Sequence, residues 1–210
     1  MAQSTTRCHY HRRFNQRLRR EVVDYSDVII LHLLGCNGVG KTTIMRAFCN
    51  FEFENVAAVS VGQLLRAKYP PEYFQGQMAP EHTEQEALQL YYDFVTNSIA
   101  NGKKLIVIDG QPRSIKQVDS VHNFPGNKII HKYVLIHADY KLREARVVKR
   151  DEQNQSALDL AQKRLMNDFR STYEIMIELA KRGIHLDIYD SSNKTIDQMR
   201  DDFFNEYLEI

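Results

Sequence analysis

The stretch that decides the fold is DVIILHLLGCNGVGKTT, residues 27–43. Val28, Ile29, Ile30, Leu31, Leu33 and Leu34 form a β-leaning apolar run. It leads into Gly35-Cys36-Asn37-Gly38-Val39-Gly40-Lys41-Thr42. That octet fits G-x-x-x-x-G-K-[ST], a loop that binds phosphate. Its glycines let successive N–H groups turn inward around phosphate oxygens, and a helix beginning near Gly40 adds the positive end of its dipole. Lys41 can then reach the β- and γ-phosphates, and the Thr42 or Thr43 hydroxyl can join a Mg²⁺ shell. A turn that only connected strand to helix would need neither the lysine nor the hydroxyls.

Working outward, short apolar strands alternate with helical patterns. Residues 56–61 and 104–109 read as buried strands, 133–136 as a fourth and 184–189 as a fifth. Helical spacing covers residues 42–49, 81–99, 139–150, 156–182 and 195–207, and a helix starts at 62–66. Leu88, Tyr91, Tyr92, Val95 and Ile99 make an apolar stripe that reads as core. Gly183 suits a helix C-cap. Pro70, Pro71, Gly76 and Pro80 exclude a continuous helix across 69–80. This alternation predicts an α/β protein with a five-stranded parallel sheet and helices on both faces. Asp109 ends its strand, where a carboxylate lies beside the phosphate cradle and can hold Mg²⁺ through water.

Residues 1–26 stand apart as a basic arm or helix. Arg7, Arg12, Arg13, Arg17, Arg19 and Arg20 precede the first acidic residue, Glu21. Tyr10, Phe14, Leu18 and Val22 recur every fourth residue, like one helix face. Three readings stay open: a helix packed on the domain, an organelle-targeting segment, and an arm touching RNA or another protein.

Composition bounds the rest. The 210 residues allow one domain with inserted subdomains. A net charge of +1 argues against a protein that works by coating nucleic acid or an anionic membrane. Cys8, Cys36 and Cys49 are odd in number and lack metal-ligand spacing, which suggests a reducing compartment and no structural zinc. No apolar run approaches the roughly 18 residues of a membrane span, and no secretory segment is evident. The expectation is an intracellular, cytoplasmic monomer. The eight histidines form no evident ligand set, and His32 and His137, in strand patterns, read as satisfied core residues.

With these pieces in order, the chain from residue 27 onward resembles the adenylate kinase family of nucleoside monophosphate kinases, which have the P-loop NTPase fold. Beside the P-loop, Val59-Ser60-Val61-Gly62-Gln63-Leu64-Leu65-Arg66 is similar to the family's I-S-T-G-D-[ML]-L-R. Asp109-Gly110-Gln111-Pro112-Arg113-Ser114-Ile115-Lys116-Gln117 is similar to D-G-[FY]-P-R-[ST]-x-x-Q. Lys163-Arg164-Leu165 resembles the K-R-L on the helix leaving the family's lid.

The resemblance implies transfer of the ATP γ-phosphoryl group to a nucleoside monophosphate, with Mg²⁺ and an AMP-like acceptor. Residues 60–88 would be the acceptor-binding flap and 150–156 a very short lid within the domain 27–210. Gly35, Asn37, Gly38, Val39, Gly40, Lys41, Thr42 and Thr43 would cradle ATP, with Arg146 against its adenine. Thr42, Thr43 and Asp109 would serve Mg²⁺. Gly62, Arg66, Gly110 and Arg113 would hold the acceptor, its phosphate clamped by the two arginines, and Gln117 would contact its base. Lys41, Arg113, Arg150 and Arg164 would carry catalysis.

Several positions depart from the family. Val61 replaces a base-facing threonine, Gln63 an aspartate near the metal's waters, and Gln111 an aromatic ring. The family's G-K-G-T is Gly40-Lys41-Thr42-Thr43 here. Asp151-Glu152-Gln153-Asn154-Gln155-Ser156 replaces a lid bearing R-x-D-D, so one phosphate-binding arginine is missing. The alternative is therefore an adenylate kinase-like nucleotide-binding subunit of a larger assembly, such as a ribonucleoprotein, with little kinase activity. A kinase of polynucleotide ends would need a strongly basic channel, which the charge does not favour.

Overall fold

The computed structural model describes residues 28–51, 53–69, 81–125, 129–151 and 155–208. The basic arm and the turn at 70–80 lie outside the described residues. The elements run β1 (Val28–Leu34), α1 (Lys41–Asn50), β2 (Val56–Ser60), α2 (Val61–Lys68), α3 (Glu81–Ala100), β3 (Leu105–Asp109), α4 (Ile115–His122), β4 (Ile129–His137), α5 (Tyr140–Asp151), α6 (Gln155–Lys181), β5 (Leu186–Asp190) and α7 (Ile196–Tyr207).

The five strands form one sheet in the order β2-β3-β1-β4-β5. Every pairing is parallel, so helices must return the chain across its faces. This is the α/β P-loop NTPase fold expected from the motif order. All seven residues of β1 are buried, as a central strand covered on both faces requires. Side chains alternate between two cores. Ile29, Leu31 and Leu33 join Ile44 and Phe48 of α1 and Met199 and Phe203 of α7. Val28 and Ile30 join Leu65 of α2 and Tyr91, Val95 and Ile99 of α3. A third cluster brings Val118 of α4 and Ile175 and Leu179 of α6 against Tyr133 and Leu135 of β4.

Two strands differ from expectation: β5, read at 184–189, runs Leu186–Asp190, and β4 starts early. β4 begins at Ile129, four residues before the apolar run at 133–136, because β1 offers ladder partners from Val28↔Ile129 onward. The polar residues that obscured this start are accommodated: His131 pairs with His32, and the Lys132 ammonium lies 5.3 Å from the centre of the Tyr207 ring. His32 is a fully buried core residue, as expected. His137 is not. It ends β4 and is exposed, since the helices no longer cover the sheet there.

Helix ends follow local chemistry. Thr195 caps α7 through a capping box with Gln198, and Gly183, at φ +67°, follows α6 as read. Ser114 precedes α4 but makes no side-chain cap, and its buried hydroxyl has no partner.

Candidate nucleotide site

The P-loop leaves β1 at the carboxyl edge of the sheet. Asp109, at the end of β3, lies opposite Leu33 in the ladder and so beside the loop's root. Gly35 has φ +134°, and a Cβ there would lie 2.3 Å from the Ile136 carbonyl oxygen, so no larger residue fits. Gly40 precedes α1 without a side-chain cap, which leaves the helix's first amides facing the loop's interior.

Lys41 folds back over the loop. Its Nζ donates to the Gly35 carbonyl at 2.7 Å and the Cys36 carbonyl at 2.9 Å. Burial lowers its pKa from the ordinary lysine value, opposed by the Asp109 and Asp168 carboxylates and reinforced by the Arg113 guanidinium. Lys41, Asp109, Asp168 and Arg113 therefore share one crevice. Thr42 Oγ1 donates to Asp109 Oδ2 at 2.8 Å. Two hard oxygen ligands from a P-loop threonine and a strand-end aspartate suit Mg²⁺, which keeps waters and takes phosphate oxygens. Among the described residues no group of three His, Cys, Asp or Glu could hold a metal alone.

Other P-loop contacts come from distant helices. The Asn37 N–H donates to Asp168 Oδ2 of α6 at 3.1 Å. Arg143 Nε of α5 donates to the Asn37 carbonyl at 3.3 Å, and Arg146 Nη1 to the Gly38 carbonyl at 3.0 Å. Arg146 is thus bonded to the P-loop main chain. Val39 is buried, and its carbonyl accepts from Ser191 Oγ at 2.8 Å. Thr43 is half-buried in the first turn of α1.

The acceptor side forms around Gly62. A Cβ at Gly62 would lie 2.9 Å from Arg113 Nη2 and 3.5 Å from Arg66 Nη1. The two guanidinium groups therefore meet over a residue without a side chain. Arg113 Nε donates to the buried Gly110's carbonyl at 3.1 Å, which fixes the fork's direction. Gln117 is buried. Its Oε1 accepts the Arg113 N–H at 2.8 Å, and its Nε2 donates to the Glu84 carbonyl at 3.4 Å. Here it braces the Arg113 loop, and contact with a base would exchange the longer of these bonds.

Val61 is buried in the core rather than facing the crevice, and Gln63 is half-buried. Arg150 belongs to α5 and Arg164 to α6, but their side chains lie outside the described residues. The structure thus brings Lys41, Thr42, Asp109, Arg66 and Arg113 around one crevice. It adds Asp168 and Arg143, which the sequence reading did not place in the site. Arg143, three residues before Arg146 on α5, was the available hint. Asp168 meets Asn37 across 131 residues of sequence, with no local signal.

A protein-family profile described as an AAA domain matches residues 34–166, well over half of the chain. Adenylate kinase from Helicobacter pylori (strain ATCC 700392 / 26695) is 31% identical over 93 residues, covering 42% of this chain and 49% of the relative. Adenylate kinase from Helicobacter pylori (strain HPAG1) is 30% identical over the same length and shares. The chain spans about half the length of these curated relatives. Profile, strand order and P-loop agree: the chain belongs to the AAA domain family and is an adenylate kinase-like P-loop protein.

Proposed function

We propose that this chain is a nucleoside monophosphate kinase that transfers the γ-phosphoryl group of ATP, with Mg²⁺, to an AMP-like acceptor. The observation that carries this is the pair Arg66 and Arg113 over Gly62, with Arg113 close enough to influence Lys41. One phosphate cradle and one guanidinium clamp side by side suit two nucleotides meeting phosphate to phosphate. An anionic oxygen of the acceptor phosphate attacks the γ-phosphorus in line. The bond from that phosphorus to the β–γ bridging oxygen breaks, and its electron pair leaves with ADP. The attacking oxygen carries no proton, so no general base is needed, and rate comes from positioning and charge neutralisation.

Lys41 and the amides of 38–42 hold the β- and γ-phosphates. Thr42, with Thr43 beside it, and Asp109 through water would hold Mg²⁺, which would supply charge neutralisation to the transferring phosphates. Arg66 and Arg113 fix the acceptor phosphate, with Gly62 and Gly110 letting it approach. Gln117 reads the acceptor base and Arg146 lies on the donor adenine. Arg150 and Arg164, assigned by resemblance, would neutralise the transferring group. Segments 60–88 and 150–156 close as flap and lid to exclude water.

The test is a coupled assay of ADP formation with AMP, dAMP, CMP, UMP, GMP and dTMP. AMP should give the highest kcat/KM. Tight ATP binding without acceptor-dependent turnover on any of them rejects the kinase reading.

The Asp168 carboxylate on the Asn37 amide favours a second reading, a nucleotide-binding subunit of an assembly whose P-loop turns over slowly. Deleting residues 1–26 separates the two. A kinase keeps its turnover, whereas an assembly subunit loses the RNA or protein partner held by that arm.

A further inference from the structure

His32 lies on β1, fully buried, three residues before the P-loop begins at Gly35. Its Nδ1 is 3.2 Å from the Gln111 carbonyl oxygen, and its Nε2 is 3.0 Å from His131 Nδ1 on β4. A carbonyl only accepts, so His32 Nδ1 carries the proton. Neutral His32 then presents a bare Nε2, and His131 Nδ1 must be the donor to it. The chain of bonds has one direction: His131 to His32 to the Gln111 carbonyl.

Its surroundings keep it neutral. Rings of Tyr133 from β4 and Tyr91 from α3 lie 4.6 and 6.0 Å from His32, and His131 stacks at 5.3 Å. His122 from α4 is 5.4 Å from His131, and its Nδ1 is 3.3 Å from the Tyr133 hydroxyl. No carboxylate makes a hydrogen bond or salt bridge to His32 or His131 among the described contacts.

Gln111 begins the turn Gln111-Pro112-Arg113, and the Gln111 side-chain amide is buried with neither atom partnered. The main chain there has two anchors, one distant and one local. His32 holds the Gln111 carbonyl and Gln117 holds the Arg113 N–H. Pro112, between them, has no N–H to offer.

We infer that His32, oriented by His131, is a positioning residue for acceptor binding: it fixes the Gln111 carbonyl and thereby the loop that aims Arg113. The inference rests on the acceptor role of Arg113 proposed above. His32 touches no substrate, so its loss should be felt at the acceptor and not at ATP.

The experiment compares H32L, which deletes the donor, with H32N, whose amide nitrogen falls near the place of Nδ1. Initial rates are measured against AMP and ATP separately. H32L should raise KM for AMP about tenfold, the loss expected when a buried carbonyl is left unpaired, with KM for ATP unchanged within about twofold. H32N should recover most of that loss. Equal shifts for both substrates, or no recovery in H32N, overturn the proposal. Should H32L fail to fold, H131L breaks the same chain one link earlier and should raise KM for AMP less. An unchanged KM there also overturns it. Absence of turnover in the wild-type chain is a failure of the kinase reading instead. In that case amide exchange across 109–117 decides, faster in H32L and restored in H32N if the anchor is real, and unchanged in both if it is not.

Discussion

The donor and acceptor sides of the crevice are both lined by cations, yet they are held in opposite ways. On the donor side the P-loop is tied to the rest of the protein through its carbonyls and the Asn37 amide. Lys41 is bonded to two loop carbonyls, Arg143 and Arg146 to two more, and Asp168 to an amide. On the acceptor side Arg66 and Arg113 are exposed, and the root of Arg113 is fixed by the Gly110 carbonyl. On the kinase reading ATP would exchange some of these internal bonds for its own, and the Asp168 carboxylate would oppose its phosphates in a way that salt screens weakly, because the pair is partly shielded from water.

The sharpest way to break this comparison is to remove one cation from each side. K41M should lower kcat about 10³-fold and R113A should lower kcat/KM for AMP about 10²-fold, as expected for groups aimed at transferring charge. Only R113A should spare ATP binding, measured by calorimetry. Neither should shift Tm much, and unfolding by either change would mean that these side chains serve structure. A smaller effect tests these internal bonds. D168N keeps the shape but removes the charge, so ATP should bind about fivefold tighter, in the range of a single partly exposed charge contact. Weaker binding would mean that Asp168 organises the loop for ATP instead of competing with it.

The smallest effect concerns acid. Burial lowers the pKa of His131 from 6.5 to about 4, with His122 adding to the shift. Burial also holds His32 well below its ordinary value. A histidine depressed on folding binds its proton more readily in the unfolded chain, so its stability contribution is complete above about 6.5. It is then lost progressively as pH falls toward 4. Tm measured from pH 7.5 to 4.5 should fall, and H131N should fall less steeply across the same window. An identical slope would show that carboxylates alone set the acid limb.

How much of this was legible follows from where each signal sits. The P-loop, Asp109 and the Gly62 to Arg66 helix start are read from residues adjacent in sequence, because backbone geometry couples glycine spacing directly to phosphate shape. Strands β1 to β3 and the middle of β4 were legible because parallel strands buried on both faces are continuous apolar runs, whereas the edge strand β5 showed as an alternation. β4 was read short since His131 and Lys132 interrupt its pattern, although each finds a partner in space. Asp168 and Arg143 were not placed in the site because their contacts depend on how α5 and α6 pack over the loop. Gln111 read as a departure from an aromatic position, but its carbonyl, common to every residue type, makes the contact with His32. Side-chain identity cannot announce a main-chain bond.

The sheet order also decides how the molecule comes apart. β1 has strands on both sides and burial on both faces, while β5 borders solvent with Ile188 70% exposed. Local openings begin where few apolar neighbours hold an edge, and the centre opens only with the whole domain. Because the phosphate loop hangs from β1, fraying at β5 leaves the loop's root in place and takes first the bond from Ser191, just past β5, to the Val39 carbonyl.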